Sequence, residues 1–127
     1  MVKHLKLFEV EQVGETVIVS PRGQANGFRY HDLHAEANSV RGFLLQPGRR
    51  NVIMDMSQME YCGSEFIGSL VSMLRESRNR GGKSVFCRAN PQMHKVLDNM
   101  SLFKLWPYFA TREEALAAVN GTAGNAK

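Results

Sequence analysis

The chain of 127 residues lacks most of what specialised protein classes require. It has two cysteines, Cys62 and Cys87, too few for a disulfide framework and too far apart for a C-x-x-C site. No run approaches the roughly 20 apolar residues of a membrane span. The start, Met1-Val2-Lys3-His4-Leu5-Lys6, breaks up the apolar core that a secretory leader needs. A cytoplasmic protein without direct membrane insertion is expected. No serine lies in a G-x-S-x-G elbow. Gly82-Lys83-Ser84 looks like the end of a phosphate-binding loop, but Ser77 stands where that loop needs glycine, and the segment joins a helix to a strand. His31 and His34 have only Asp32 and Glu36 nearby, short of the ligands and geometry a metal needs, so no metal and no cofactor is expected. Positive charge is only modestly in excess, 16 Lys and Arg against 12 Asp and Glu. That balance permits an acidic partner without demanding nucleic acid. The basic group Arg75, Arg78, Arg80 and Lys83 lacks the interleaved aromatics of a nucleic-acid platform and reads as a solvated helix end. The sequence shows no catalytic constellation, and no enzyme is expected.

What is present is an ordinary globular composition, 43% apolar and 22% charged, at a length that suits one domain. Alternation over residues 5–11, a turn at Gly14-Glu15 and the run Thr16 to Val19 predict an opening hairpin. Leu33, Ala37, Val40 and Leu44 share one helical face, and Pro47-Gly48 stops that helix. Asn51 to Met56 has a centre that is apolar on both sides of the pleat and predicts a strand covered on both faces. A helix from Ser64 carries the stripe Ile67, Leu70, Val71 and Leu74 and ends at Gly81-Gly82. Ser84 to Cys87 is a second buried strand. Asn90-Pro91 starts a helix with the stripe Met93, Val96, Leu97 and Met100. Leu105 to Phe109 predicts an edge strand, because Pro107 would cost a ladder bond in a central one. Thr111 and Glu114 form a capping box before Ala115, Leu116 and Val119. The fold class is therefore α/β: a mostly parallel sheet of about five strands, an opening antiparallel hairpin and about four helices. Residues 1–120 are expected to form one domain and residues 121–127 a disordered tail. An exposed sheet edge leaves a homodimer open.

Ser64 is the most informative residue, because it sits where a loop leaving a central strand enters a helix. A phosphoryl group there would meet free backbone N–H groups and the positive end of the helix dipole. The plainer role is an N-cap.

The run from Asn51 to Val119 resembles the STAS domain family of anti-sigma factor antagonists and their relatives. The residues that carry the likeness are Val52-Ile53-Met54-Asp55-Met56-Ser57, Tyr61-Cys62-Gly63-Ser64, Ile67-Gly68, Arg80-Gly81-Gly82-Lys83, Asn90-Pro91, Met100-Ser101-Leu102 and Glu113-Glu114-Ala115-Leu116. The resemblance implies a regulatory module that binds an anti-sigma factor, a serine kinase of the GHKL type, and is switched by phosphorylation at Ser64. It places partner contacts at Asn26, Ser57, Gly63, Glu65 and Phe66. This chain has Gly63 where the family usually has aspartate, Glu65 and Phe66 where a small residue and glycine are usual, and Asn26 in place of an acid. Those differences motivate an alternative: a STAS adaptor in a signalling assembly or transporter complex that works without phosphorylation. A third reading, from another class, is a small-molecule or nucleotide binder, or an enzyme without a recognisable motif.

Overall fold

In the structure, a computed structural model that describes residues 2–22 and 30–121, one six-stranded sheet runs in simple chain order. Its strands are β1 (Val2–His4), β2 (Phe8–Val13), β3 (Thr16–Pro21), β4 (Asn51–Asp55), β5 (Ser84–Cys87) and β6 (Tyr108–Phe109). The expected hairpin is β2–β3, paired antiparallel from Val13↔Thr16 to Phe8↔Pro21. A three-residue strand outside it, β1, was not anticipated. From β3 to β6 the pairing is parallel, with Ile18, Ile53 and Val85 in line across the centre.

The helices are α1 (Tyr30–Leu44), α2 (Ser64–Asn79), α3 (Pro91–Asn99) and α4 (Arg112–Val119). Parallel strands in sequential order need crossovers of one hand, which puts successive crossover helices on the same face. Accordingly α1, α2 and α3 bury Leu33, Ala37, Ile67, Leu70, Met93 and Leu97 against Val19, Val52, Met54 and Phe86. The opposite face is covered by α4, whose Ala115 and Val119 pack on Ile18, Ile53 and Val85. Every residue of β4 is buried, as a strand between two helical layers requires.

Local chemistry sets the element ends. Asn90 caps α3 by accepting the Met93 N–H at 2.8 Å, with Pro91 in the first helical turn. Thr111 accepts the Glu114 N–H at 3.0 Å, while the Glu114 carboxylate accepts from Ala110 N–H at 3.2 Å. Past α2, Gly81 takes a φ of +87°, and Gly82 lies so close to Arg50 that an added Cβ would fall 1.8 Å from its carbonyl oxygen. Two expectations are corrected. Met100 is the C-cap of α3 and 44% exposed, so the apolar stripe ends at Leu97. The edge strand is shorter than Leu105 to Phe109: a 3-10 turn (Leu102–Lys104) leads into it, and Leu105 is exposed. Pro107 lies just before β6 and contributes its carbonyl oxygen to the Phe86 N–H.

Candidate functional site

Open α/β sheets present functional groups beyond the carboxyl ends of their strands, where loops gather. Here β4 ends at Asp55, and residues 56–63 lead from it to α2. Met56, Met59 and Cys62 are buried and pin this loop to the core. Ser57, Gln58, Glu60 and Tyr61 are left at the surface. Asn90 ties the loop from the other side, donating to the carbonyl oxygens of Glu60 at 2.9 Å and Met59 at 3.3 Å. Buried side chains and the cap of α3 thus hold the loop, and the start of α2 rests on a firm platform.

Ser64 is the first residue of α2 and is exposed. The cap position belongs to Gly63, whose φ of −88° and ψ of −175° are extended and whose lack of a side chain leaves the helix without a side-chain cap. The N-cap residue of α2 therefore gives its first N–H groups no side-chain oxygen, at the end of the helix where the dipole is positive. Glu65, exposed in the same first turn, is the carboxylate nearest in sequence. Ser57 is exposed at the head of the loop, its N–H donating to Asp55 Oδ1 at 3.0 Å. Phe66 departs from expectation. It is 1% exposed, with its ring 5.5 Å from that of Phe8, so it belongs to the core and offers no direct contact to a partner. The reason is helical geometry: one position before Ile67 on the buried stripe, Phe66 faces the sheet. Asn26 lies outside the described residues, as do the Gly23 to Asn26 loop and residues 122–127 of the expected tail.

Sequence reasoning passed over the most highly organised polar feature of this pole. Asp55 is fully buried, and its carboxylate accepts from Arg88 at 2.6 Å and from Arg112 at 2.9 Å. Arg112 also reaches Glu11 on β2 at 3.1 Å. Burial by itself pushes the Asp55 carboxyl up; the hydrogen bonds from Arg88, the Ser57 N–H and Arg112 outweigh it and hold the group below its ordinary value. Arg88 occupies a left-handed backbone conformation, φ 57°, as β5 ends. This clasp joins β4, β5 and α4 at the site's floor. Its one sequence signal is an aspartate directly after the apolar run Val52-Ile53-Met54 of a doubly covered strand. Its partners lie 33 and 57 residues further along.

The remaining candidates do not converge here. Cys62 and Cys87 are buried, and burial pushes both thiols up to about 12, which removes thiolate nucleophiles. Among the described residues no cluster of His, Cys, Asp or Glu can hold a metal ion, and no helix is long and apolar enough to cross a membrane. Of the basic group, Arg80 donates to the carbonyl of Leu44 and Arg78 to that of Leu105, so both tie the end of α2 to its neighbours. What the pole offers chemically is an exposed hydroxyl at an uncapped helix start, beside an exposed loop on a rigid floor.

Comparison with known proteins agrees with this fold. The family model described as STAS domain matches residues 8–115. An anti-sigma F factor antagonist of Paenibacillus polymyxa is 24% identical over 66 residues, 52% of this chain and 56% of that protein. The aligned stretch thus spans little more than half of that relative's length. BtrV of Bordetella bronchiseptica, named an anti-sigma factor antagonist, is 22% identical over 86% of this chain and 90% of its own. The solved structure of the anti-sigma factor antagonist SpoIIAA in its unphosphorylated form superposes with a TM-score of 0.73 at 22% identity, over 90% of this chain and 96% of that one. The phosphorylated form of Bacillus SpoIIAA superposes with 0.67 at 22% identity, over 88% and 98%.

Proposed function

The chain belongs to the STAS domain family, and from that premise we propose that it is an anti-sigma factor antagonist-type regulator. It binds an anti-sigma factor serine kinase of the GHKL type through the pole around Ser57, Ser64 and Glu65, and phosphorylation of Ser64 releases it. The observation that carries this reading is Ser64 itself: exposed, first in its helix, and preceded by a residue with no side chain to compete for the helix start. A phosphate there adds about −1.5 to −2 charges. In the free protein that charge is welcome at the helix N-terminus. In a closely fitted interface it stands unpaired beside Glu65 and costs several kcal/mol. A loss of about 3 kcal/mol weakens a complex roughly a hundredfold.

The test is incubation with the kinase and ATP, followed by peptide mass spectrometry and a binding titration. Phosphate should appear on the peptide that contains Ser64. Ser64→Ala should bind without being modified, and Ser64→Asp should bind at least tenfold more weakly. An unmodified Ser64 after complete turnover of a control substrate refutes the switch.

A second reading, an adaptor that works without phosphorylation, is favoured by Glu65, which already places a permanent charge in the first turn of α2. Under it, Ser64→Asp leaves binding intact and Glu65→Lys weakens it.

A further inference from the structure

Arg75 and Arg78 lie eleven and fourteen residues along α2 from Ser64, about 16 and 21 Å away by helical rise. Spaced by three, they share a face of the helix. Together with Leu105 and Trp106 they bound a cavity of about 420 Å³. A second cavity of about 270 Å³ shares Arg78, Leu105 and Trp106 and continues over Pro107 towards Phe109. Trp106 therefore lines both recesses: Arg75 and Arg78 bring cations to the first, and the second sets Val85, Pro107 and Phe109 beside Arg78 and Lys83.

Its indole supplies an independent observation. Trp106 is 2% exposed, and among the described residues its Nε1 is the buried side-chain polar atom without a hydrogen-bond partner. An orphaned buried donor is costly and uncommon in a native fold. Leu105 beside it is 48% exposed, on the segment that follows the 3-10 turn.

We propose that this cleft is a binding site for a small amphipathic carboxylate: an aromatic or branched apolar body carrying one carboxylate. The apolar body takes the place of Leu105 against the indole and Pro107. The carboxylate lies on the planar fork of Arg75 and on the donors Arg78 keeps beside its 3.2 Å bond to the Leu105 carbonyl. One oxygen accepts the indole N–H. The cavity sizes suit a ligand of one ring, near the lower end of the roughly 300–1,000 Å³ typical of small-molecule sites. A bare inorganic anion would leave the surface of Trp106 and Pro107 uncovered, and a neutral aromatic would leave the arginines unmatched.

Trp106 is the single tryptophan of the chain, so its emission reads the site directly. The full chain is titrated with phenylacetate, with 2-phenylethanol as its uncharged counterpart and inorganic phosphate as the bare anion. Phenylacetate should change the emission saturably, and the two controls should not at equal concentration. Arg75→Gln, at an exposed helical position, should raise the dissociation constant about tenfold, the loss of one charge-assisted hydrogen bond. Arg78→Gln should do the same, with circular dichroism confirming an unchanged fold. No saturable response to phenylacetate, equal binding by 2-phenylethanol or phosphate, or an unaltered constant in both variants overturns the proposal. An emission change that follows protein concentration alone, with a dimer in sedimentation, assigns the cleft to a second copy of the chain and likewise overturns it.

Discussion

Replacing Asp55 by asparagine keeps the shape of the clasp and removes its charge. The side chain is fully buried, while Arg88 and Arg112 are 40% and 26% exposed. Breaking a wholly buried ion pair costs about 3–5 kcal/mol, because a charge is stranded. Here the stranded groups are two arginines that water can partly reach, and Arg112 keeps Glu11. The expected loss is therefore smaller, about 2–3 kcal/mol. For a domain of this size that lowers the melting temperature by roughly 10 °C. Urea unfolding followed by Trp106 fluorescence measures it. The pH dependence supplies an independent check. The Asp55 carboxyl is depressed in the folded state, so the unfolded chain takes up its proton first as pH falls. Its stabilisation is complete above the unfolded carboxyl's value, about 4, and is lost as pH drops through the lower folded value. The stability gap between wild type and Asp55→Asn should thus be widest near neutrality and close below about pH 4. A gap under about 0.5 kcal/mol at pH 7, the scatter of an ordinary surface substitution, would refute the clasp as a stabilising device. So would a gap that does not change with pH.

The same geometry sets other outcomes. Gly63→Asp places a capping carboxylate at an extended position whose new Cβ meets nothing within 4 Å, and it should stabilise by about 0.5–1 kcal/mol in urea unfolding. Phe66→Ala should destabilise by about 3–5 kcal/mol, so any loss of partner binding in that variant should track loss of fold by circular dichroism. Cys62 and Cys87 should resist a thiol reagent at pH 8 in the native protein and react fully in urea. Because both thiols are raised in the folded state, their contribution is intact below the unfolded thiol's value and falls as pH climbs from about 9 towards 12.

Hydrophobic period and end signals carried much of the architecture. The stripe Leu33, Ala37, Val40 and Leu44 is buried as read, the run Asn51 to Met56 with its doubly apolar centre gave a central strand over Asn51–Asp55, and Asn90 and Thr111 cap the helices they announce. These signals are local: each depends on residues within a turn or two, and the backbone reads them before any long-range contact forms. β1 escaped because three residues hold too little pattern. Met100 and Phe66 escaped because periodicity names a face without its width, and the width is set by how closely the sheet approaches each turn of helix.

The sequence alone determined that a serine would stand where a central strand passes into a helix. Only the tertiary structure decided that Gly63 takes the cap, that Phe66 turns inward and that Ser64 and Glu65 remain outside. It also decided that Asp55 would meet two arginines far along the chain. The physical reason is the range of the forces involved. Turn and helix signals act between neighbours, whereas a buried carboxylate must find its counter-charges wherever the topology brings them.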